Sequence, residues 1–317
     1  MHWRIAFVFA MILMVGACSP PQEPVRIGIL LWPPYDLAVV ARAEGFIDPE
    51  QVQLIDYQTP AEVVRASRNG LLDGFFLTTQ YALQDHPAGQ DARIVYIIDH
   101  SEGGDSLLVR PGVDSLAQLK GKRIALEAGP LGAYMLQRVL DHAGLTRADI
   151  DLHFVDTPDH VHAYASGAVD AVITYEPFGS RVAEAGAHKL FSSRDIPNEI
   201  VDVLYVTEAL IEERGQDLVS LVRGIEQARK LLESRPEHVL PIMAERHRMD
   251  TESFARALEG VSLLGLEENL ELLSGEQPKL SVWIERQIEV FQRAGMWPPG
   301  QPSVATPDPR IVDRALQ

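Results

Sequence analysis

Between Val25 and Val206 short apolar runs alternate with amphipathic stretches, and the order strand, helix, strand, helix, strand occurs twice. Alternation of this kind belongs to parallel strands joined by crossover helices, so it commits the chain to an α/β fold. In the first unit we expect strands at 25–31, 52–57, 73–77 and 94–98, with helices over 37–43 and 61–69, the second ended by Gly70. After a turn at 111–114 the second unit should hold strands at 123–126, 152–155 and 171–174. Its helices fall at 133–143, capped by Gly144, and at 160–166 and 178–185. The apolar run 201–206 reads as a strand leading back toward the first unit. From 209 to 295 the strand signal vanishes. Leu218, Leu221, Val222, Ile225 and Leu232 fall at helical spacing there, as do Leu280, Trp283, Ile284, Ile288 and Phe291, and both stripes read as core packing.

Ahead of the fold, Arg4 precedes the apolar run 5–14, which closes on Val15-Gly16-Ala17-Cys18. A basic residue, a short apolar run and small residues at a cleavage site make a secretory signal. The run is well short of the roughly 20 residues that a membrane-spanning helix needs. Cys18, the chain's one cysteine, stands where a bacterial lipoprotein peptidase would cut and leave it acylated. We therefore expect residues 1–18 to be a lipoprotein signal peptide. Residues 19–24, with three prolines, should form an extended tether. A lipidated Cys18 would hold the protein on a membrane, in the periplasm or at the cell surface. A single cysteine leaves the fold without an internal disulfide. The net charge of −17 sets the chain against nucleic-acid partners, and 46% hydrophobic residues suffice for a globular core.

Leu116, Leu119-Lys120-Gly121-Lys122 and Ile124-Ala125 resemble the opening of the second lobe in type II periplasmic binding proteins. Gly167, Val169-Asp170-Ala171 and Glu176-Pro177 are similar to an element of the group that binds nitrate, taurine, alkanesulfonates and thiamine precursors. Asp99, Ser101, Gly103 and Asp105 are similar to that group's hinge-side loop. Together the resemblance covers most of residues 25–206. It implies an α/β fold of the periplasmic-binding-protein type II class, a two-lobed clamp with a helical C-terminal segment. Lobe 1 would comprise 25–110 and 205–317, lobe 2 would comprise 111–204, and the hinge strands would lie near 107–110 and 201–206. The implied function is the extracytoplasmic solute-binding protein of an ABC importer. A monomer would close on a small organic solute and deliver it to a permease and its ATPase subunit, without chemistry or cofactor. A subunit that reports its ligand to a membrane receptor would use the same clamp.

The residues point to a cleft independently of any family. In open α/β sheets ligands sit beyond the carboxyl ends of strands, where helix N-termini present free N–H groups. That rule selects Trp32 and Tyr35 after the first strand, Thr78 and Thr79 after the third and Ser101 after the fourth. In the second unit it selects Gly129, Pro130, Leu131 and Gly132 after the first strand, Thr157 after the second, and Tyr175 and Glu176 after the third. Trp32 and Tyr35 offer an aromatic wall. Gly129 and Gly132 admit close backbone approach, and Pro130 suits a first helical turn. Thr78 and Thr79 also fit as helix caps, and Glu176 as a cap or arginine partner. Asp202, in an apolar strand, fits either a hinge hydrogen bond or a ligand contact.

Binders of sulfonate or nitrate need donors for an anion, yet residues 129–132 hold no Ser or Thr, and the expected cleft carries Asp99, Glu127, Glu176 and Asp202. Buried carboxylates are costly unless paired, so the pattern favours a nitrogen-containing or zwitterionic solute. A metal-dependent enzyme is the remaining class. Its candidates, Asp159, His160 and His162, share one helix start without a fourth partner, and no nucleophile motif or phosphate loop is present, so no metal is expected.

Overall fold

The computed structural model describes residues 22–84, 91–297 and 305–317. The expected signal peptide, the lipidation site Cys18 and the first part of the tether lie outside the described residues. The chain opens with β1 (Val25–Ile29), α1 (Asp36–Ala43), β2 (Val52–Asp56), α2 (Pro60–Arg68), β3 (Gly74–Thr78), α3 (Thr79–Gln84) and β4 (Ala92–Ser101). Next come β5 (Asp105–Val109), β6 (Arg123–Leu126), α4 (Pro130–Ala143), β7 (Asp151–Phe154), α5 (His160–Ala165), β8 (Ala171–Tyr175), α6 (Phe178–Glu184) and β9 (His188–Ser192). β10 (Val201–Thr207) leads into α7 (Glu208–Ser234), α8 (Pro236–Arg246), α9 (Thr251–Leu258), β11 (Val261–Leu263), α10 (Leu266–Leu273), α11 (Lys279–Arg293), β12 (Thr306–Pro307) and α12 (Arg310–Leu316).

Two sheets result. One runs β11-β4-β10-β3-β1-β2, with β12 on β4, and the other runs β7-β6-β8-β5-β9. In each, three parallel strands are followed by an antiparallel one, β10 in the first and β5 in the second. That antiparallel strand arrives from the other sheet, since β5 follows β4 and β10 follows β9. The chain therefore crosses between lobes at 102–104 and again within 193–200. Here the structure differs from the boundaries expected above: 105–109 pairs with β8 and β9 in the second sheet, and 201–204 begins β10 in the first. An apolar run shows that it is a strand but not which strand it will pair with. β9, with exposed His188 and Lys189, and the three-residue β11 carry too little apolar pattern to be anticipated.

The lobes repeat one device. Arg26 donates from its backbone N–H and from Nε and Nη2 along one edge of its guanidinium to Asp73, 47 residues on, and so ties β1 to the turn before β3. Arg123 makes the same three bonds to Asp170, also 47 residues on, tying β6 to the turn before β8. Strands β5, β6 and β8 alternate between two cores, as the two-residue period of a strand requires. Leu107, Ile124, Leu126 and Ile173 face the main core, whereas Leu108, Ala125 and Val172 face a smaller one under Ala163 and Tyr164 of α5 and Val182 of α6. β3, buried along its whole length, reads as the continuous apolar run of a doubly covered strand.

Local signals set the helices that frame the cleft. Thr59 and Glu62 close a capping box at the start of α2, with Pro60 in the first turn. α4 starts at Pro130, and Gly144 ends it in the left-handed conformation at φ 64°. The C-terminal helices close the molecule from behind. On α11, Gln287 accepts the Thr79 hydroxyl at 2.9 Å, and Phe291 meets Tyr134 of α4 edge-on at 5.3 Å, so this helix touches both lobes. Among the described residues no helix is long and apolar enough to cross a membrane.

Candidate functional site

The two crossings bring the carboxyl ends of the strands face to face. On the first sheet, register places Thr78 of β3 opposite Asp202 of β10, and Asp202 opposite Asp99 of β4, giving a polar row across three strands. On the second sheet Asp105 of β5 stands opposite Tyr175 of β8. Between them lies a narrow cavity of about 30 Å³ whose lining includes Trp32, Tyr35, Thr78, Tyr81, Asp105, Leu131, Tyr175 and Asp202, with Leu30, Pro60 and Leu77 as apolar wall. A smaller space continues past Asp105 and Tyr175 to Glu127, Gly132, Met135 and His160.

The lobes meet around this cavity. Tyr81 of α3 donates to Glu127 at 2.6 Å, and the rings of Trp32 and Tyr175 lie edge to face at 5.9 Å. Arg181 of α6 donates to the His247 carbonyl at 2.5 Å. The arrangement is thus a closed clamp.

Several polar groups are fixed by neighbours. The Trp32 indole donates to Asp99 at 3.1 Å, Tyr35 donates to Asp202, and Thr157 donates to the second oxygen of Glu127 at 3.2 Å. Others have no partner: Asp105 Oδ2, Asp99 Oδ1 and Thr78 Oγ1 are buried without a hydrogen bond. Buried polar atoms are almost always satisfied, so those that line a cavity mark where a ligand's own groups belong.

Electrostatics follow from burial without a counterion. Burial pushes the Asp105 carboxyl up to about 7, with the Ser101 hydrogen bond acting against the shift. Burial likewise takes Asp202 to about 8, against the hydrogen bond from Tyr35. Burial, then the charge of Asp202, holds Asp99 well above the usual carboxylate range. Burial also raises Glu127 and Glu176. His160 is driven the other way, down to about 4, again chiefly by burial. Its Nε2 faces the Val155 carbonyl at 3.0 Å and its Nδ1 the Thr174 hydroxyl at 2.9 Å, so it is a neutral core group.

Of the residues selected from the sequence, the structure brings Trp32, Tyr35, Thr78, Leu131, Tyr175 and Asp202 to the main cavity and Gly132 to its extension. Gly129 and Pro130 line an outer groove with Arg65 and Arg68. Thr79 is taken by Gln287. Ser101 sits at the crossing, where its hydroxyl meets that of Ser193 at 2.8 Å and accepts the Asp105 N–H at 3.1 Å. The Glu176 carboxylate accepts the Ser180 N–H at 3.0 Å, which caps α6. Thr79, Ser101 and Glu176 are absent from the residues lining either space, because each is satisfied within the fold. Asp105 and Tyr81 were not selected. Asp105 lies within the hinge-side motif but begins a strand, whereas a rule based on strand ends looks for the residue after one. Tyr81 carries only a helical signal.

Residues 18–244 match the model of the NMT1-like family. The chain belongs to this family. Among curated proteins of similar sequence, a protein of Brucella abortus (strain 2308) named as a binding protein is 25% identical over 214 residues, which is 66% of this chain and 66% of that one. A protein of Escherichia coli K12 named for binding aliphatic sulfonates is 22% identical over 193 residues, 60% of each chain. This NMT1-like chain thus spans less than two thirds of these relatives' length. In three dimensions it is similar to the alkanesulfonate-binding protein of Xanthomonas axonopodis bound to MOPS. The TM-score is 0.71 at 20% identity, covering 94% of this chain and 99% of that one. It is also similar to the ligand-binding component of an ABC-type import system from Staphylococcus aureus, with a TM-score of 0.74 at 12% identity, covering 93% and 99%. The desulfurization enzyme DszB shares the fold at a TM-score of 0.67 and 16% identity, covering 93% and 99%. These likenesses establish the two-lobed α/β clamp for this NMT1-like chain.

Proposed function

We propose that the chain is the extracytoplasmic solute-binding lipoprotein of an ABC importer. Its lobes, 25–104 with 200–317 and 105–199, close as a monomer on a small organic solute and hand it to a permease served by an ATPase subunit. A lipid on Cys18 holds it to a membrane, in the periplasm or at the cell surface. The observation that carries this reading is the closed inter-lobe cavity, into which each lobe turns a buried oxygen without a partner, Asp105 Oδ2 from one and Thr78 Oγ1 from the other. Relatives named for solute binding support it. Binding without chemistry fits the same cavity: His160 is neutral and occupied, and the chain's one cysteine is at position 18.

A thermal-shift screen of the chain from residue 19 onward tests it. A ligand that binds only the folded state stabilises it by about 2.7 kcal/mol at a hundredfold excess over Kd. A clear rise in Tm with one chemical class among amines, pyrimidines, zwitterions, sulfonates and nitrate is the expected result. No rise with any of them, on folded protein freed of carried-over ligand, counts against solute capture.

A further inference from the structure

The charge lining the cavity has one sign. Asp105 and Asp202 face it from opposite lobes, no Lys, Arg or His is among its lining residues in the described part of the chain, and Asp99 stands directly behind Asp202 across the strand pair. The charges acting on Asp99 are those of Asp202 and Asp105, and the charge acting on Asp202 is that of Asp105. Lys189 acts on Asp105 from outside the cavity: it is exposed, does not line the cavity, and donates to the Gly103 carbonyl at 2.6 Å. Like charges opposite one another on paired strands are destabilising, and buried carboxylates need a counterion. Asp105 is 3% exposed and Thr78 6%, and both have an unpartnered oxygen at the cavity wall.

We infer that the missing counterion is the ligand: a small organic cation, an ammonium or amidinium, seated between Asp105 and the Thr78–Asp202 row with the rings of Trp32, Tyr35 and Tyr175 around it. This rests on the solute-capture reading and narrows it to one charge class. Aromatic faces attract a cation, and its N–H donors complete the free oxygens. Leu30, Leu77 and Leu131 take its apolar body. An organic cation suits the site better than a metal ion, because among the described residues no three His, Cys, Asp or Glu side chains are placed to hold one.

Binding carries a proton signature. The empty cleft keeps protons on part of its acids at neutral pH, and an incoming positive charge displaces them. The titratable groups facing this change are Asp99, Asp202, Tyr35 and Tyr81 on the first lobe, and Asp105, Glu127, His160, Glu176, Tyr175 and Lys189 on the second.

Titration calorimetry of the chain from residue 19 onward tests the inference with probes that share a shape and differ in charge. Benzylamine and benzamidine are compared with benzyl alcohol and benzenesulfonate. At least one cation should bind at least about a hundredfold more tightly than the neutral and anionic probes, with protons released at pH 7.5, read from heats in buffers of different ionisation enthalpy. Asp105→Asn and Asp202→Asn, checked for folding by their unliganded Tm, should each weaken that cation at least about tenfold and reduce the proton count. Binding of the alcohol or sulfonate with none of the cations would overturn the inference and leave solute capture standing. No binding by any probe would count against both.

Discussion

Asp170 stands just before the apolar strand β8 and Asp202 near the start of the apolar strand β10, yet their surroundings drive them in opposite directions. Asp170 accepts three bonds from Arg123, whose hydrogen bonds hold its carboxyl down at about 2. Its contribution to stability is present above the unfolded value of about 4 and is lost as pH falls through about 2. Because the pair is part-exposed, that contribution is on the order of 1 kcal/mol or less. Asp105 and Asp202 are raised, so the sign reverses: their share of stability is complete below about pH 4 and is lost as pH rises through about 7 and about 8. Unliganded wild-type protein should therefore weaken in urea between pH 5 and 8.5. Asp105→Asn and Asp202→Asn should each flatten that slope and gain about 1–3 kcal/mol at pH 8. A slope unchanged in both variants would show that these acids are not its source.

At the scale of elements, two glycines at the start of α4 separate folding from closure. A Cβ on Gly132 would lie 2.6 Å from the Glu127 carbonyl, a backbone atom of the same lobe. Gly132→Ala should lower stability by about 1–3 kcal/mol with or without ligand. A Cβ on Gly129 would instead collide with the Tyr81 hydroxyl, which belongs to the opposite lobe. Gly129→Ala should leave the unliganded Tm in place and weaken ligand binding about tenfold or more, measured by calorimetry, since the collision exists only when the lobes are shut. A helix also completes a sheet here. Asn269 of α10 accepts the Ile97 N–H at 2.6 Å and donates to the Ile97 carbonyl at 2.8 Å, standing in for a strand beside β4. Asn269→Leu should cost about 2 kcal/mol in chemical denaturation, because it leaves both backbone groups buried and unpaired.

For the whole molecule, the described residues hold the clamp closed through Tyr81 with Glu127, Trp32 with Tyr175 and Arg181 with the His247 carbonyl across the cleft, and through Gln80 with the Glu199 carbonyl and Phe291 with Tyr134 beside and behind it. Such a contact set, facing the repulsion of Asp105, Asp202 and Asp99, favours opening when the cavity is empty. Small-angle scattering should give a larger radius of gyration without ligand than with it, and an identical radius in both states would argue against hinge closure. At the membrane, Cys18→Ala should abolish incorporation of labelled palmitate and release the protein into the soluble fraction. Retention of label would place the lipid elsewhere.

The alternation of apolar runs was enough to determine the α/β class, the two units and the helical C-terminal third, because strand and helix periodicities are local properties of the chain. Trp32, Tyr35, Thr78, Leu131 and Asp202 were legible because they occupy or follow strand ends, where free N–H groups and ligands collect. The owner of each antiparallel strand was not, since the pairing of β5 with β8 and of β10 with β3 joins segments about 65 and 125 residues apart, across the crossings that tertiary packing alone fixes. The same exchange decides the site. Asp105 and Asp202 reach one cavity only because each stands at the start of a strand contributed to the opposite sheet, and Thr79, Ser101 and Glu176 stay off the cavity wall where Gln287, Ser193 and Ser180 bond them.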